Sequence, residues 1–206
     1  MRMNRKFAVM ASLVALLMGS LALPSTLSAK PKDAEKAVTR SDSGKEVYTG
    51  TIVFMGGRYS GQSTTFSLTI DGSTPRDDFD RSASVLKTKG QDGLLDAVSH
   101  TRRGRIQIGG SVGQDLNIVR IAEDEEGGKK ITAAFARWMR FGELRAGTRT
   151  VDYPFTYLEF IVDSKGKGGG TFIPAARISF DKKKNVVEVE NFAAFPAKLM
   201  GVRKRS

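Results

Sequence analysis

The chain has 206 residues, no cysteine and a formal net charge of +11, from 33 Lys and Arg residues against 22 Asp and Glu residues. Because cysteine is absent, disulfides and a lipid-modified cysteine anchor are excluded, and burial of apolar side chains must hold the fold together. The positive charge favours attraction to polyanions, and a soluble surface of mixed charge is the alternative interpretation.

The first 29 residues predict an export signal. Three cations in residues 1–6 precede an apolar run over residues 7–23, and Ala29 offers a small residue at the cleavage position. We expect cleavage after Ala29, with Ala22 as a second candidate site. An uncleaved anchor is the alternative, because a run of 17 residues is at the lower limit for spanning a bilayer.

Export also fixes the expected compartment and charge. Cleavage after Ala29 removes three cations and leaves a net charge of +8 on a chain of 177 residues. The sequence therefore predicts a periplasmic or secreted protein of bacterial type. We expect no transmembrane anchor after cleavage and no nucleic acid as a partner.

A polar segment separates the signal from the domain. Residues 30–46 contain nine charged residues and no aromatic residue, which predicts a flexible leader. Residues 47–206 are enough to bury one sizeable core, so we predict a single β-rich domain there.

Alternation of apolar and polar residues dominates the domain. Phe66, Leu68 and Ile70, for example, alternate with Ser67 and Thr69, as on a half-buried strand. Short turns separate such segments, which favours antiparallel neighbours. The predicted strands cover residues 47–55, 63–70, 105–108, 115–122, 130–139, 155–163, 170–181, 186–192 and 196–202.

The period changes between the second and third predicted strands. Ser73 or Thr74 is a candidate helix cap, Pro75 suits the first turn, and Gly90 ends the helix. A second, shorter helix is predicted over residues 91–99. The expected fold class is α+β and mainly β: a strongly curved or barrel-like antiparallel sheet of about nine strands, with a two-helix insertion between the first and second hairpins.

A catalytic serine is the first chemistry to consider. Residues 109–113 match the G-x-S-x-G pattern around Ser111, but that motif requires a following helix and a histidine later in the chain. Here a strand is predicted to follow, and the only histidine, His100, comes first. We interpret residues 109–113 as a hairpin turn and His100 as a residue at a helix end, and we predict no catalytic residue.

Metal and phosphate sites have no better support. Four aspartates and an acidic run at residues 123–126 lack the spacing of a calcium loop. Residues 165–171 place lysines before glycines, the reverse of a phosphate-binding loop, and predict a mobile hairpin loop. We therefore predict neither a metal nor a cofactor. The four aspartates are Asp71, Asp77, Asp78 and Asp80.

Two basic clusters provide the candidate binding residues. One precedes a predicted strand and the other ends the chain, and a solvated surface explains both equally simply. If the two clusters meet in the fold, they form a patch that binds an anionic envelope polymer or lipid headgroups. The candidate residues are Arg102, Arg103, Arg105, Arg203, Lys204 and Arg205.

These features favour a non-catalytic binding or interaction module of the envelope or of the secreted proteins. One alternative is a barrel that carries a small apolar ligand behind its phenylalanines, and another is a hydrolase with an unrecognised site. In the carrier alternative, the phenylalanines that line the cavity instead of filling a core are Phe54, Phe66, Phe160, Phe172 and Phe180.

Overall fold

The computed structural model describes residues 44–56, 59–123, 127–139, 145, 149–193 and 195–205. The predicted signal and residues 30–43 of the predicted leader lie outside them. The described residues form ten strands, one α-helix and a short 3-10 helix at Arg149–Asp152. In chain order the elements are β1 (Glu46–Val53), β2 (Ser63–Ile70), α1 (Arg76–Val98), β3 (Gly104–Ile108), β4 (Gln114–Leu116), β5 (Ile118–Glu123), β6 (Lys129–Ala136), β7 (Phe155–Val162), β8 (Lys167–Asp181), β9 (Val186–Asn191) and β10 (Ala197–Arg205).

The strands form one antiparallel sheet that nearly closes into a barrel. Nine strands follow the order β4-β3-β2-β1-β10-β8-β7-β6-β5, and β9 pairs with β8 off this path. The two ends of the path, β4 and β5, are separated in the sequence only by Asn117. One continuous segment therefore pairs with β3 through its first part and with β6 through its second. The predicted mainly β, barrel-like class is confirmed.

Asn117 joins the elements that meet at this junction. Its side-chain Nδ2 donates to the Thr101 carbonyl at 2.9 Å, and its Oδ1 accepts from the Ala136 backbone N–H at 2.7 Å. The Thr101 hydroxyl in turn donates to the Asn117 carbonyl at 2.8 Å. Because Asn117 is buried, these bonds satisfy polar groups that would otherwise lose their contact with water. The predicted strand at 115–122 is thus two strands, because the sheet changes partner at Asn117.

Inward-facing side chains fill the barrel. Tyr48, Phe135 and Phe160 have exposed fractions of 1% or less, and the rings of Tyr48 and Phe160 meet edge to face with 5.2 Å between centroids. Aliphatic side chains from the strands β1 to β7 and β10 complete the same cluster. The period-two pattern of the strands therefore gives one buried face, as expected for a sheet that curves around its core.

One helix, α1, replaces the two helices that the sequence predicts. Gly90 has φ 71° and ψ −163°, which interrupts the helical backbone, but the element continues to Val98. The Gln91 side chain fixes the kink to its surroundings: its Nε2 donates to the Asp152 carbonyl at 3.1 Å, and its Oε1 accepts from the Ile178 N–H at 3.0 Å. Glycine permits this break in the helical backbone, and the break falls at the residue where the sequence predicts the end of the first helix.

The apolar face of α1 packs on the outside of the barrel. Leu86, Leu94 and Val98 are buried in a second cluster with outward-facing residues of β7 and β8, among them Tyr157 and Ile173. No helix among the described residues combines the length and the apolar content that crossing a membrane requires.

The strand directions give the barrel two distinct ends. β1 begins at Glu46 and ends at Val53, roughly 25 Å away for an extended strand of this length. The terminal end contains the start of β1 and the end of β10, where Val47 pairs with Arg205. The loop end contains the connections β1–β2, β3–β4, β6–β7 and β9–β10.

Two predictions at the terminal end are corrected. Glu46, the last residue of the predicted leader, is the first residue of β1 and is buried. Gly168 and Gly169, predicted to lie in a mobile loop, belong to β8. A Cβ atom at Gly168 would overlap the Ile161 carbonyl of β7, so glycine serves close strand approach here rather than mobility.

Candidate functional site

Glu46 is the centre of a buried ion cluster at the terminal end. Its Oε1 accepts hydrogen bonds from Lys129 Nζ at 2.8 Å and Lys204 Nζ at 2.6 Å. Its Oε2 accepts from the Tyr48 hydroxyl at 2.7 Å. Both carboxylate oxygens are therefore occupied by groups of the protein itself, in a residue that is only 7% exposed.

The pKa values in this cluster follow from its contacts. Burial by itself raises the pKa of Glu46, but hydrogen bonds from Lys129, Lys204 and Tyr48 outweigh it and lower the pKa to about 2. Burial, together with the adjacent carboxylate, raises the pKa of Tyr48 well above its usual range. A carboxylate and a phenol with such values are poorly matched to proton transfer near neutral pH. We interpret the cluster as the closure of the barrel's terminal end.

The first predicted basic cluster has carboxylate partners. Arg103 Nη2 lies 2.8 Å from an oxygen of Asp78. Arg102 lies 3.6 Å from Asp115, and Arg105 lies 3.7 Å from the same carboxylate. Folding thus brings acids from α1 and β4 to these arginines, which lowers the local excess of positive charge.

The second predicted cluster divides by the faces of β10. Lys204 turns to Glu46 in the barrel end, whereas Arg203 and Arg205 are exposed. Arg203 stands directly opposite Lys167 of β8 in the antiparallel register. Alternate residues of a strand face opposite sides, so Arg203 and Arg205 share the outer face.

The two predicted clusters do not form one patch. Arg105, Thr69, Val47 and Arg205 occupy one row across β3, β2, β1 and β10. Three strand spacings separate the ends of this row, or about 14 Å. The uncharged residues Val47 and Thr69 lie between the two arginines.

The terminal end nevertheless presents a basic surface, which we call the basic rim: Lys45, Lys167, Arg203 and Arg205. All four residues are exposed. Within the described residues, none of their side chains makes an ion pair or a side-chain hydrogen bond. The sequence indicates the two arginines but neither Lys45 nor Lys167, because only the strand register places residue 167 opposite residue 203.

The structure does not bring together the candidate catalytic residues of the hydrolase alternative, His100 and Ser111. His100 is exposed just after α1, and Ser111 lies in the β3–β4 loop, so the five residues of β3 separate them by roughly 16 Å. The Ser111 hydroxyl donates to the Ile108 carbonyl at 2.6 Å, as in a hairpin turn. A strand, β4, follows this turn, as the sequence predicts.

The predicted acidic residues are dispersed. Asp77, Asp78 and Asp80 lie in the first turns of α1, and residues 124–126 lie outside the described residues. Among the residues that the structure describes, no three His, Cys, Asp or Glu side chains converge where a metal ion could bind.

The five phenylalanines of the carrier alternative do not share one space. Phe66, Phe160 and Phe172 belong to the barrel interior, and Phe54 packs against the same cluster. Phe180 lies with the helix cluster instead, under the ammonium group of Lys87 at 4.5 Å from the ring centroid. An open groove of about 340 Å³ between α1 and β8 borders this contact.

In comparisons with protein-family models, with curated proteins and with solved structures, nothing matches this chain. The class of protein is therefore defined by its own features: a nearly closed antiparallel barrel with one outer helix, a filled interior and a basic rim.

Proposed function

We propose that the protein is an exported, non-catalytic binding module whose basic rim holds an anionic polymer of the cell envelope. One observation carries this proposal: Lys167 and Arg203 stand directly opposite each other, without a carboxylate partner among the described residues. Like charges in this position destabilise a sheet. A bound polyanion would relieve a repulsion that the chain leaves in place.

The segments that contain the basic rim have an excess of positive charge. Although β5 ends at the same end with Glu123, which three further acids follow in the sequence, residues 44–47, 163–167 and 203–205 contain six Lys or Arg residues against two acids. One acid, Glu46, is already paired, and the other, Asp163, accepts two backbone N–H groups through its Oδ1. The guanidinium groups of the rim suit bidentate contacts to phosphate or carboxylate groups along a polymer.

The non-catalytic part of the proposal rests on the placement of reactive groups. His100 and Ser111 lie at opposite ends of β3, and both oxygens of Glu46 are occupied. The packed aromatic side chains inside the barrel favour a core over a ligand cavity. The hydrolase and the apolar-ligand carrier therefore have less support than the binding module.

Removing rim charges should weaken binding to a soluble polyanion. We expect a triple variant, Lys167→Gln with Arg203→Gln and Arg205→Gln, to bind labelled inorganic polyphosphate at least about tenfold more weakly than the parent at low salt, because three of four rim cations are lost. Binding by the parent should weaken as salt is added. Fluorescence anisotropy measures the affinity, and circular dichroism checks the fold.

A matched control removes the same charge elsewhere. The triple variant Arg102→Gln with Arg103→Gln and Arg105→Gln loses three cations that already have carboxylate partners, and we expect a loss of less than about threefold. Equal losses in both variants would assign binding to net charge alone and overturn the rim. Failure of the parent to bind polyphosphate at low salt would overturn the proposed function.

Export has its own test. Expression of all 206 residues in a bacterium should yield, in the periplasm or the medium, a protein that begins at Lys30 according to mass spectrometry. Deletion of residues 2–23 should keep the chain in the cytoplasm. A parent chain that keeps Met1 and stays in the cytoplasm would contradict export without affecting the polyphosphate result.

A further inference from the structure

The loop end of the barrel carries most of the exposed apolar side chains. Among the described residues, eight large hydrophobic side chains are exposed, and six of them belong to loops at this end. The other two, Ile161 and Met200, lie on strands. We call the six the apolar crown: Met55, Tyr59, Val112, Trp138, Phe192 and Phe195.

Backbone pairing brings the loops of the crown to one end. Val53 is opposite both Ser63 of β2 and Lys198 of β10, so the β1–β2 and β9–β10 loops start side by side. They also touch, since a Cβ atom at Gly56 would lie 3.2 Å from the ring of Phe195.

Three further contacts complete the crown. The rings of Tyr153 and Phe192 meet edge to face with 5.2 Å between centroids, which joins the β6–β7 and β9–β10 loops. Arg137 N–H donates to the Pro154 carbonyl at 2.7 Å, which fixes the base of the segment that presents Trp138. The β3–β4 loop with Val112 leaves the sheet beside β2, where Gly109 N–H donates to the Thr65 carbonyl at 2.8 Å.

The crown consists of protruding side chains rather than a groove. Trp138 is 81% exposed and Val112 is 83% exposed. Connecting loops are ordinarily polar, so apolar side chains at the tips of four separate loops point to a binding surface. The interfacial region of a bilayer accepts exposed apolar side chains without a preformed pocket for each, whereas a protein partner must supply a matching surface.

The charge of the four loops complements an anionic surface. Among the described residues of 54–62, 109–113, 137–154 and 192–196, the charged ones are three arginines, Arg137, Arg145 and Arg149, and one acid, Asp152. Trp and Tyr are enriched where a bilayer meets water, and cations near such a surface are attracted by anionic lipids.

We propose that the apolar crown inserts into the surface of a bilayer that contains anionic phospholipids. A protein partner is the competing occupant, because Trp, Tyr, Phe, Met and Arg are also enriched in protein interfaces. The four separate, protruding tips and the net positive charge favour the bilayer. This inference does not depend on the basic rim, which lies at the opposite end of β1.

Trp138 is the only tryptophan of the chain and reports on the crown directly. On addition of vesicles of equal parts phosphatidylcholine and phosphatidylglycerol, we expect its fluorescence to move to shorter wavelength and to be quenched by lipids brominated on the acyl chains. Pure phosphatidylcholine vesicles should give a weaker response. An unchanged Trp138 spectrum with both vesicles would overturn the proposal and leave a protein as the occupant.

Paired variants separate the crown from general surface hydrophobicity. The double variant Val112→Ser with Phe195→Ser should reduce co-flotation with the mixed vesicles at least about tenfold. The control, Ile161→Ser with Met200→Ser, removes two exposed apolar side chains elsewhere and should bind like the parent. Equal losses would contradict insertion through the crown. If headgroups bind the basic rim instead, the protein will float with vesicles while Trp138 stays unshifted, which also overturns this inference.

Discussion

Replacement of Glu46 by Gln should make the free energy of unfolding less dependent on pH below about pH 5. The pKa of Glu46 is lowered from 4.5 to about 2 in the folded protein, so the folded state binds its proton more weakly than the unfolded state. The contribution of ionised Glu46 to the free energy of unfolding is fully present above about pH 5 and is lost as the pH falls toward 2. A difference of this size corresponds to about 3 kcal/mol of unfolding free energy.

Urea unfolding between pH 7 and pH 2.5 measures this contribution. At pH 7 we expect Glu46→Gln to lower the free energy of unfolding by about 2–4 kcal/mol, because Lys129 and Lys204 lose their common carboxylate. The difference between parent and variant should shrink as the pH is lowered. Glu123→Gln, at an exposed strand end, serves as the control and should change stability by less than about 0.5 kcal/mol. If the Glu46→Gln variant lost as much unfolding free energy between pH 7 and pH 2.5 as the parent does, Glu46 would not be the source of this acid sensitivity.

Replacement of Gly170 by Ala should damage the fold more severely still. Gly170 of β8 lies opposite Phe160 of β7. A Cβ atom at this position would overlap the Glu159 carbonyl and lie 2.5 Å from Phe160 Cα. These are backbone atoms of a central strand pair and cannot rotate away, so the strands must separate. We expect a loss of at least about 3 kcal/mol in unfolding free energy, or failure to fold.

Gly72→Ala is the matched control for this substitution. No atom lies within 4 Å of a Cβ at Gly72, and the residue precedes α1 rather than lying in the sheet. The free energy of unfolding of the Gly72→Ala variant should stay within about 0.5 kcal/mol of the parent value. Thermal unfolding followed by circular dichroism compares the two variants, and a Gly170→Ala protein within 1 kcal/mol of the parent would contradict the close strand approach.

The strands were predictable from sequence because their signal is local. A strand that buries one face, such as β2, shows an alternation like that of Phe66, Leu68 and Ile70 without knowledge of its partners. The helical insertion after β2 was predictable for the same reason. The split at Asn117 was not, because it depends on hydrogen bonds to Thr101 and Ala136 from other elements.

The candidate sites depended on contacts that no local pattern contains. In the sequence Glu46 resembles a residue of the polar leader. Its burial depends on Lys129 and Lys204, which follow it by 83 and 158 residues. Arg103 resembled a free cation until Asp78 was brought to it from α1. No local pattern indicates the crown, because its six residues are single apolar positions in separate loops, and only the strand directions place those loops together.

The pairing of β10 with both β1 and β8 decides when the barrel can form. The first strand of the domain has the last strand as a neighbour, so the sheet remains open until the carboxyl terminus is available. Long-range pairing of this kind slows folding. The barrel, its rim and its crown can therefore be completed only when residues 197–205 are present to pair with β1 and β8.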